Sequence, residues 1–388
     1  MDTLPYRRLS AFYLIYFAAL GLFSPYWSAY LETRGLAHWQ IAVIMSMWFG
    51  TRALAPMPWA WLSERYGHNE YWLRAGAVLT LASFCLFLLP LSYAGLLLVM
   101  ALFAAAYNAI MPQFEAMTLA HLGLRRSLYG RIRVWGSVGF ALTVTGAGVV
   151  LEHWGYAVLP WTLLPLFIAL VVVSWINHDP PSVRTGPRAP WSEVMERLRD
   201  RSVLRLLAVA LLMQVAHGPY YVYFAIYLEQ HGFGASWVGA YWAVGLALEI
   251  GVFIIMPQIL SRFDPRWVLA SCLLAGTLRW LVVAWLPAHI PLMLLAQAAH
   301  AMTFGVFHAT TMQILGSHFP GRLGGHGQGL LYGISSGLGG VVGALAAGAV
   351  WRLFGPSQAF VMAAIASSLA LWLCPWIYLR PEPAEREA

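Results

Sequence analysis

Charged residues are scarce in this chain, where only 10% of the 388 residues are Asp, Glu, Lys or Arg and 60% are hydrophobic. Lysine is absent, so all 23 basic residues are arginine. The three cysteines lie far apart in apolar stretches, which argues against both a disulfide framework and a cysteine metal site. The sequence has no His-Glu-x-x-His run, so nothing indicates a membrane metalloenzyme. This composition is typical of an integral membrane protein.

The chain is rich in long apolar stretches. Stretches of about 20 residues, the length that a helix needs to cross the hydrocarbon core of a bilayer, recur throughout the sequence. We therefore predict an all-α membrane protein with twelve transmembrane spans. No cleavable signal peptide is evident, and span 1 is expected to remain as an anchor. Numbered 1 to 12 in chain order, the predicted spans are 9–32, 38–62, 70–90, 93–119, 128–151, 156–177, 203–229, 236–260, 266–287, 290–316, 324–351 and 357–379.

The distribution of arginine predicts the orientation of the chain. Nearly all arginines between the spans fall on one side, whereas the opposite loops hold only Arg34 and Arg352. By the positive-inside rule, both termini are expected in the cytoplasm and the protein in the inner membrane. Anionic lipid accounts for the net charge of +7, so no nucleic-acid partner is needed. We expect a monomer without a cofactor, whose partners are a small-molecule substrate, protons and the bilayer.

One polar stretch, rich in proline and arginine, divides the twelve spans into six and six. It predicts an N-terminal half over residues 1–178, a cytoplasmic linker over 179–202, and a C-terminal half with a short tail over 203–388. A shift of 197 residues aligns the halves: Tyr30-Leu31-Glu32 matches Tyr227-Leu228-Glu229, and Arg65 matches Arg262. Such a repeat indicates two parallel six-helix halves, the major facilitator arrangement, with the substrate site between them.

Seven ionisable residues fall inside the apolar spans, where a charge costs about 3 kcal/mol or more and is a functional candidate by default. In the repeat, Arg52 and Glu249 occupy equivalent positions with opposite sign, whereas the counterparts of Glu115 and Arg133 are uncharged. The scaffold therefore does not require these charges. A purely structural role, in which they pair to hold helices together, remains open. The seven are Arg52, Glu115, Arg133, Glu249, Arg279, His300 and His308.

Two segments resemble lactose permease. Glu115-Ala116-Met117 and, at the same spacing, the run from Gly130 to Gly136 are similar to that family's sugar-binding segment, which implies substrate binding by Glu115 and Arg133. The spacing from Pro257 to Arg279 also matches, and His300 falls close to the family's proton-pathway histidine. The closer resemblance, over nearly the whole chain, is to the phenylpropionate permease branch. Its signatures are similar to 25–28, 129–137, 218–221 and 300–305, with His308.

The chain also departs from the lactose permease pattern. Thr303 stands where that family has a second carboxylate in span 10, so its proton relay cannot be carried over whole. Glu249 lies three residues nearer to Pro257 than the family's sugar-binding acid. The loop motif after span 2 has Glu64 where major facilitators usually carry Asp. A carboxylate is kept there, so a gating role is expected.

These arguments assign three groups of residues. A carboxylate beside an arginine can gain or lose a proton when the arginine or the substrate moves, and histidine is a natural relay. Guanidinium groups can hold a carboxylate or sugar hydroxyls in a bidentate manner. For substrate binding we predict Glu115, Arg133, Arg279, Asn108, Tyr26, Tyr30 and Tyr221; for proton coupling Glu249, Glu115, His300 and His308; for gating or structure Arg52, Glu64, Arg65 and Arg262. No metal site is predicted.

The function we predict is secondary active transport and not an enzymatic reaction. The leading hypothesis is a proton-coupled symporter that imports a small aromatic carboxylate such as phenylpropionate, as the resemblance implies. A proton-coupled sugar or nucleoside symporter is the alternative, because Glu115 and Arg133 match a sugar-binding pair. A drug exporter driven by protons and a membrane sensor without transport also remain open.

Overall fold

The computed structural model describes residues 4–123, 125–180 and 191–380, without the side chains of Glu64 and Arg126. Within these ranges the chain is helical and has no strand. This confirms the prediction of an all-α fold. Eleven helices in the described part are long and apolar enough to cross a membrane: Tyr6–Thr33, Asn69–Leu88, Tyr93–Leu122, Tyr129–Trp154, Tyr156–Trp175, Arg201–Gln230, Ala235–Arg262, Pro265–Trp285, Ile290–His318, Gly321–Phe354 and Pro356–Trp376. They correspond to predicted span 1 and spans 3 to 12.

Span 2, predicted as one helix over 38–62, consists of two shorter helices. His38–Leu54 has 17 residues and Pro56–Tyr66 has 11, with the break at Ala55. Pro56 and Pro58 have no backbone N–H, so they cannot continue the hydrogen-bond pattern of the first helix. The twelfth span is therefore present as a pair of helices, neither of which is long enough to cross a bilayer alone.

The two halves pack their spans in the same way. Span 1 packs against spans 5 and 6, and span 7 against spans 11 and 12. Spans 2, 3 and 4 pack against one another in the order 2–4–3, as spans 8, 10 and 9 do, and spans 3 and 6 pair as spans 9 and 12 do. Between the halves, span 5 packs against span 8 and span 2 against span 11. The fold therefore has two six-helix halves, while the boundaries at 178 and 202 stay a prediction.

We call the end of the molecule where span 1 begins and span 12 ends the terminal face, and the other end the opposite face. The halves meet tightly at the opposite face through glycine. A Cβ atom on Gly239 would lie 2.5 Å from the carbonyl oxygen of Val144, and one on Gly148 would lie 2.8 Å from that of Ala235. Because only glycine allows such backbone contact, spans 5 and 8 are sealed together here.

Hydrogen bonds between the halves have the same distribution. Within the described ranges, three that involve a side chain cross from one half to the other, and all lie near the opposite face. The Tyr223 hydroxyl donates to the carbonyl of His38 at 2.7 Å, and the backbone N–H of Ser236 donates to Glu152 at 2.8 Å. Toward the terminal face, by contrast, Gly130 and Gly251 on spans 5 and 8 have no atom within 4 Å of a Cβ position. The space between the halves is thus closed at the opposite face.

Candidate substrate and proton site

Two of the intramembrane arginines lie in different surroundings. One is inside the second half, and the other is between the halves. The Arg279 network consists of Arg279, His217, His300, Gln297 and Thr303, all from spans 7, 9 and 10. The Arg52 site consists of Arg52 on span 2 and the aromatic rings around it. These two names are used below.

Arg279 lies at the centre of its network and is only 1% exposed. Its Nη1 donates to Nδ1 of His300 at 3.1 Å and to the hydroxyl of Thr303 at 3.0 Å, and its Nη2 donates to the side-chain oxygen of Gln297 at 3.3 Å. The guanidinium also lies 4.2 Å from the ring of Trp280. Neutral acceptors and a π-face therefore stabilise this charge, since no carboxylate of the described residues lies within 4.0 Å of it.

The two histidines of the network are held in defined orientations. Nδ1 of His217 donates to the carbonyl of Met213 at 2.8 Å, which leaves Nε2 as an acceptor 3.5 Å from Arg279. His300 accepts from Arg279 through Nδ1, so its proton lies on Nε2, which faces the Glu249 carboxylate at 4.0 Å. A polar path thus runs from Arg279 on span 9 through His300 on span 10 to Glu249 on span 8.

Span 10 has a widened turn at this point. Residues Met302–Val306 form a π-helical segment that begins two residues after His300 and contains Thr303. A second π-helical segment, Gly333–Gly339, lies in span 11. Such insertions are frequent at functional sites because they reorient neighbouring side chains. This turn contains Thr303 and lies next to His300, which are two of the acceptors of Arg279.

The Arg52 site has neither the burial nor the hydrogen bonds of the Arg279 network. Arg52 is partly exposed, and its guanidinium lies 5.5 Å from the ring of Trp48 and 5.7 Å from that of Phe49. It forms neither a hydrogen bond nor an ion pair with any residue that the structure describes. Two phenols pack against the rings beside it: Tyr107 against Trp48 at 5.4 Å between ring centres, and Tyr221 against Phe49 at 6.0 Å. Its charge is therefore uncompensated by an opposite charge.

Asn108 fixes the helical turn that carries Arg52. Its side-chain amide donates to the carbonyl of Trp48 at 3.1 Å and to the hydroxyl of Thr51 at 2.9 Å. The residue is 8% exposed, so in this conformation it is occupied with span 2. Its predicted contact with the substrate stays a prediction, whereas its role in joining spans 2 and 4 is visible.

Glu115 and Arg133, the predicted sugar-type pair, lie around the same tyrosine but do not form an ion pair. Both act electrostatically on Tyr13. Arg133 lies 4.0 Å above the ring of Phe17, and Glu115 accepts a hydrogen bond of 2.9 Å from the Tyr129 hydroxyl. Arg133 is also within electrostatic range of Glu249 in the other half. The two residues therefore share a neighbourhood without contacting each other.

The predicted aromatic residues divide between the two ends of the site. Tyr26 is fully buried at the opposite face, where its hydroxyl donates to the carbonyl of Val144 at 2.7 Å. Tyr30 is buried nearby and accepts from Arg34 at 2.9 Å. Tyr26 contributes to the seal in this conformation, because its hydroxyl is also 3.4 Å from the carbonyl oxygen of Ala235 in the other half. Tyr221, in contrast, lies between the halves, with its ring centre 6.0 Å from that of Phe49.

The remaining predicted residues lie outside both surroundings. His308 is next to Tyr332, whose hydroxyl is 3.5 Å from Nε2 of the histidine, and it does not join the Arg279 network. Arg65 lies over the ring of Trp61 at 5.3 Å, and Arg262 is exposed at the end of span 8. The side chain of Glu64 is outside the described part of the chain. The gating roles of these residues stay predictions.

The sequence reasoning missed two residues of the network, Gln297 and Thr303, as ligands of Arg279. Gln297 lies three residues before His300, and Thr303 lies three residues after it, so all three share one face of span 10. A run of polar residues at this spacing in an apolar span was the available signal.

Comparison with known proteins agrees with this arrangement. The family model described as MFS_1 like family matches residues 6–362. The chain is 28% identical over 313 residues to a probable 3-phenylpropionic acid transporter of Escherichia coli (strain K12), covering 80% of this chain and 82% of the relative. It is 27% identical over 280 residues to a maltose permease of Geobacillus stearothermophilus, covering 70% and 69%. Among solved structures, that of the nucleoside transporter NupG has a TM-score of 0.84 at 13% identity, covering 95% of this chain and 98% of that one.

Proposed function

Because the chain belongs to the MFS_1 like family of major facilitator transporters, we propose that it imports a small aromatic carboxylate together with protons. Family membership by itself makes the protein a multi-pass secondary transporter and not an enzyme. The substrate class and the coupling ion are the proposed part. The proposal rests on the charges between the halves and on the polar path that leads to Glu249.

The observation that carries the substrate class is the presence of guanidinium groups beside aromatic faces between the halves. Arg52 lies near Trp48 and Phe49, and Arg133 lies over Phe17. A guanidinium binds a carboxylate through two parallel hydrogen bonds, while aromatic side chains pack against a ring of the substrate. Glycerol-like or purely apolar solutes would leave these charges without a partner. The relative from Escherichia coli, a probable 3-phenylpropionic acid transporter, supports the same class.

Proton coupling is proposed for the path from Glu249 to Arg279. The Glu249 carboxylate has His300 at 4.0 Å on one side and Arg133 within electrostatic range on the other. An anionic substrate that binds between the halves adds a negative charge to the surroundings of Glu249, which favours protonation of its carboxylate. Substrate and proton would then bind together. We also propose His308 as a second relay, although it lies apart from this path.

Transport requires that the closed opposite face can open. We propose that the glycine contacts of spans 5 and 8 allow the halves to rock, with the seal broken in the state that takes up substrate. By the arginine bias, the terminal face is proposed to be cytoplasmic and the protein to lie in the inner membrane as a monomer without a cofactor. In this orientation the conformation is closed toward the outside.

Uptake into proteoliposomes tests the whole proposal. Purified protein is reconstituted, and uptake of radiolabelled 3-phenylpropionate is measured with and without an imposed proton gradient, acid outside. We expect accumulation with the gradient and only equilibration when a protonophore is present. Uptake that ignores the gradient would remove the proton from the proposal, and failure to bind or transport any aromatic acid would remove the substrate class.

A sugar or nucleoside substrate is the second candidate, and one observation favours it. The Tyr129 hydroxyl occupies one oxygen of Glu115, so the carboxylate is held in place with acceptor capacity left for sugar hydroxyls. The maltose permease relative is consistent with this chemistry. A thermal-shift screen of maltose and uridine beside 3-phenylpropionate separates the candidates, because a ligand raises the melting temperature of the state that binds it.

A further inference from the structure

We propose that Arg52, and not Arg133 or Arg279, binds the carboxylate of the substrate, at a site that the aromatic rings of Trp48, Phe49 and Tyr221 line. This proposal rests on the proposed function and deepens it by assigning the anion to one side chain. It gives Arg52 a binding role in place of the gating or structural role predicted from the sequence.

The three intramembrane arginines differ in how their charges are already stabilised. Arg279 donates to His300, Thr303 and Gln297 and is only 1% exposed, so an incoming anion cannot reach it without dismantling the network. Arg133 stacks on the ring of Phe17 at 4.0 Å and lies 5.4 Å from that of Tyr13, so aromatic rings already cover its guanidinium more closely. Arg52 lies 5.5 Å from the ring of Trp48 and 5.7 Å from that of Phe49, is partly exposed, and has no side-chain hydrogen bond or ion pair with a described residue. An anion therefore gains most by binding to Arg52, whose charge is reachable and unbalanced.

The surroundings of Arg52 suit a carboxylate attached to an aromatic ring. Two of its neighbours, Trp48 and Phe49, are aromatic residues of the same helix. Tyr221 reaches the site from span 7, in the other half, and forms no hydrogen bond with a described residue. Its hydroxyl can therefore donate to the anion that Arg52 holds. A ligand bound in this way would contact both halves, which is what a substrate of a rocking transporter must do.

The pocket is preorganised on its first-half side. Asn108 binds the carbonyl of Trp48 and the hydroxyl of Thr51, which fixes the turn that precedes Arg52. Tyr16 and Tyr107 stack with ring centres 4.3 Å apart, and the Tyr107 hydroxyl donates to the carbonyl of Tyr16 at 2.6 Å. Because these groups are held by span 4 and span 1, Arg52 needs little reordering when the anion arrives.

The internal repeat relates the proposed substrate residue to the proposed proton residue. Arg52 and Glu249 occupy equivalent positions in the two halves, 197 residues apart. One position then carries the cation that binds the substrate, and the other carries the acid that is proposed to bind the proton. The two ligands of a symport cycle would bind at the same depth in opposite halves.

Paired ligands that differ only in charge test the assignment. Binding of 3-phenylpropionate and of its neutral amide, 3-phenylpropanamide, is measured by calorimetry on the purified full-length protein and on Arg52→Gln, Arg52→Lys and Arg133→Gln. We expect Arg52→Gln to weaken the acid about tenfold or more and the amide little, so that the preference for the acid is lost. Arg52→Lys should retain part of that preference, because the charge remains without the fork. Arg133→Gln should retain most of it.

The outcomes separate this assignment from the proposed function. If Arg52→Gln keeps the preference of the natural protein for the acid, or if Arg133→Gln abolishes it, Arg52 does not bind the carboxylate. Should Arg52→Gln fail to fold, the loss of half or more of the preference in Arg52→Lys carries the test, and an unchanged preference overturns the assignment. If the natural protein binds neither the acid nor the amide, the proposed substrate class itself is wrong, and the assignment falls with it.

Discussion

Arg52 and Arg279 are both arginines inside apolar spans, yet their surroundings have little in common. Arg279 is 1% exposed and donates to three side chains of its own half, all of which lie on span 10. Arg52 is partly exposed, lies on span 2 at the boundary with the second half and has the rings of Trp48 and Phe49 beside it. A charge that the protein stabilises internally belongs to the architecture, whereas a charge that it leaves unbalanced and reachable requires a ligand.

The same comparison explains why the two arginines would act differently during transport. The Arg279 network is contained within one half and can move with it as a unit. The Arg52 site includes Tyr221 from the other half, so its shape depends on how the halves are placed. We therefore expect stability to depend mainly on Arg279 and conformation-dependent binding to depend mainly on Arg52.

The largest expected effect is on stability. Replacing Arg279 by Gln removes the donor that His300, Thr303 and Gln297 share, and buried polar groups without partners cost about 3 kcal/mol in total. We expect the melting temperature of the detergent-solubilised protein to fall by several degrees, measured by tryptophan fluorescence.

Two further variants serve as comparisons for the stability of Arg279→Gln. Arg266→Gln is a matched control, because Arg266 pairs with Asp264 at the surface and such pairs contribute at most about 1 kcal/mol. Arg52→Gln should also leave the melting temperature nearly unchanged. If Arg52→Gln destabilises the protein as much as Arg279→Gln does, the distinction between the two surroundings is wrong.

The next effect concerns the seal. In Gly239→Ala the added Cβ would lie 2.5 Å from the carbonyl of Val144, and such overpacking costs about 2 kcal/mol in the closed state. We expect the halves to separate at the opposite face, so that spin labels at Trp154 and Gln230 move apart in electron resonance measurements. Affinity for the aromatic acid should change with them, since the Arg52 site spans both halves.

Gly146→Ala is the control for that variant. Gly146 is on span 5 like Gly148, but no atom lies within 4 Å of its Cβ position. An unchanged label distance in this control and a longer one in Gly239→Ala would support the seal. Equal distances in both variants would show that glycine packing does not close the opposite face.

Coupling is expected to depend on Glu249. In Glu249→Gln the carboxylate beside His300 and Arg133 is gone, so a proton can no longer be taken up with the substrate. We expect accumulation driven by a proton gradient to fall about tenfold, while exchange of labelled for unlabelled substrate without a gradient continues. Glu196→Gln, which changes an exposed carboxylate outside the spans, should leave accumulation intact. Loss of exchange as well as accumulation would point to substrate binding and not to coupling.

The smallest effect should come from Asn108. In Asn108→Ala two hydrogen bonds to span 2 are lost, which costs about 1 kcal/mol and loosens the turn before Arg52. We expect affinity for the acid to fall severalfold, and affinity for the amide to fall less. Calorimetry on the same ligand pair measures both. An equal loss for acid and amide would make Asn108 a packing residue without influence on Arg52.

How much could be read from the sequence differs from feature to feature. The spans were predictable because burial of about 20 apolar residues in a bilayer leaves a direct compositional signal. Pro56 and Pro58 also indicate the break in span 2, although we predicted a single helix there. The π-helical turn after His300 was not, because an added residue in a helical turn has no characteristic sequence.

The site follows the same division. Which spans contain charged residues is a property of the sequence, and it gave the candidates Arg52, Arg133, Arg279 and Glu249. Which of these charges are already balanced is decided by rotation of the helices and by neighbours far away in the chain. Arg279 meets His217 across 62 positions, while Asn108 reaches Thr51 across 57. No local spacing encodes such pairs.

The amino-acid sequence alone shows that this chain contains two repeated sets of apolar spans and that a few ionisable residues lie within them. It could do so because hydropathy and repetition are summed over many residues and tolerate local exceptions. Packing in three dimensions is what encloses Arg279 among acceptors and leaves Arg52 partly exposed, without a side-chain hydrogen bond to a described residue. The physical reason is that the cost of a buried charge depends on the atoms within about 4 Å of it, and packing alone supplies those atoms.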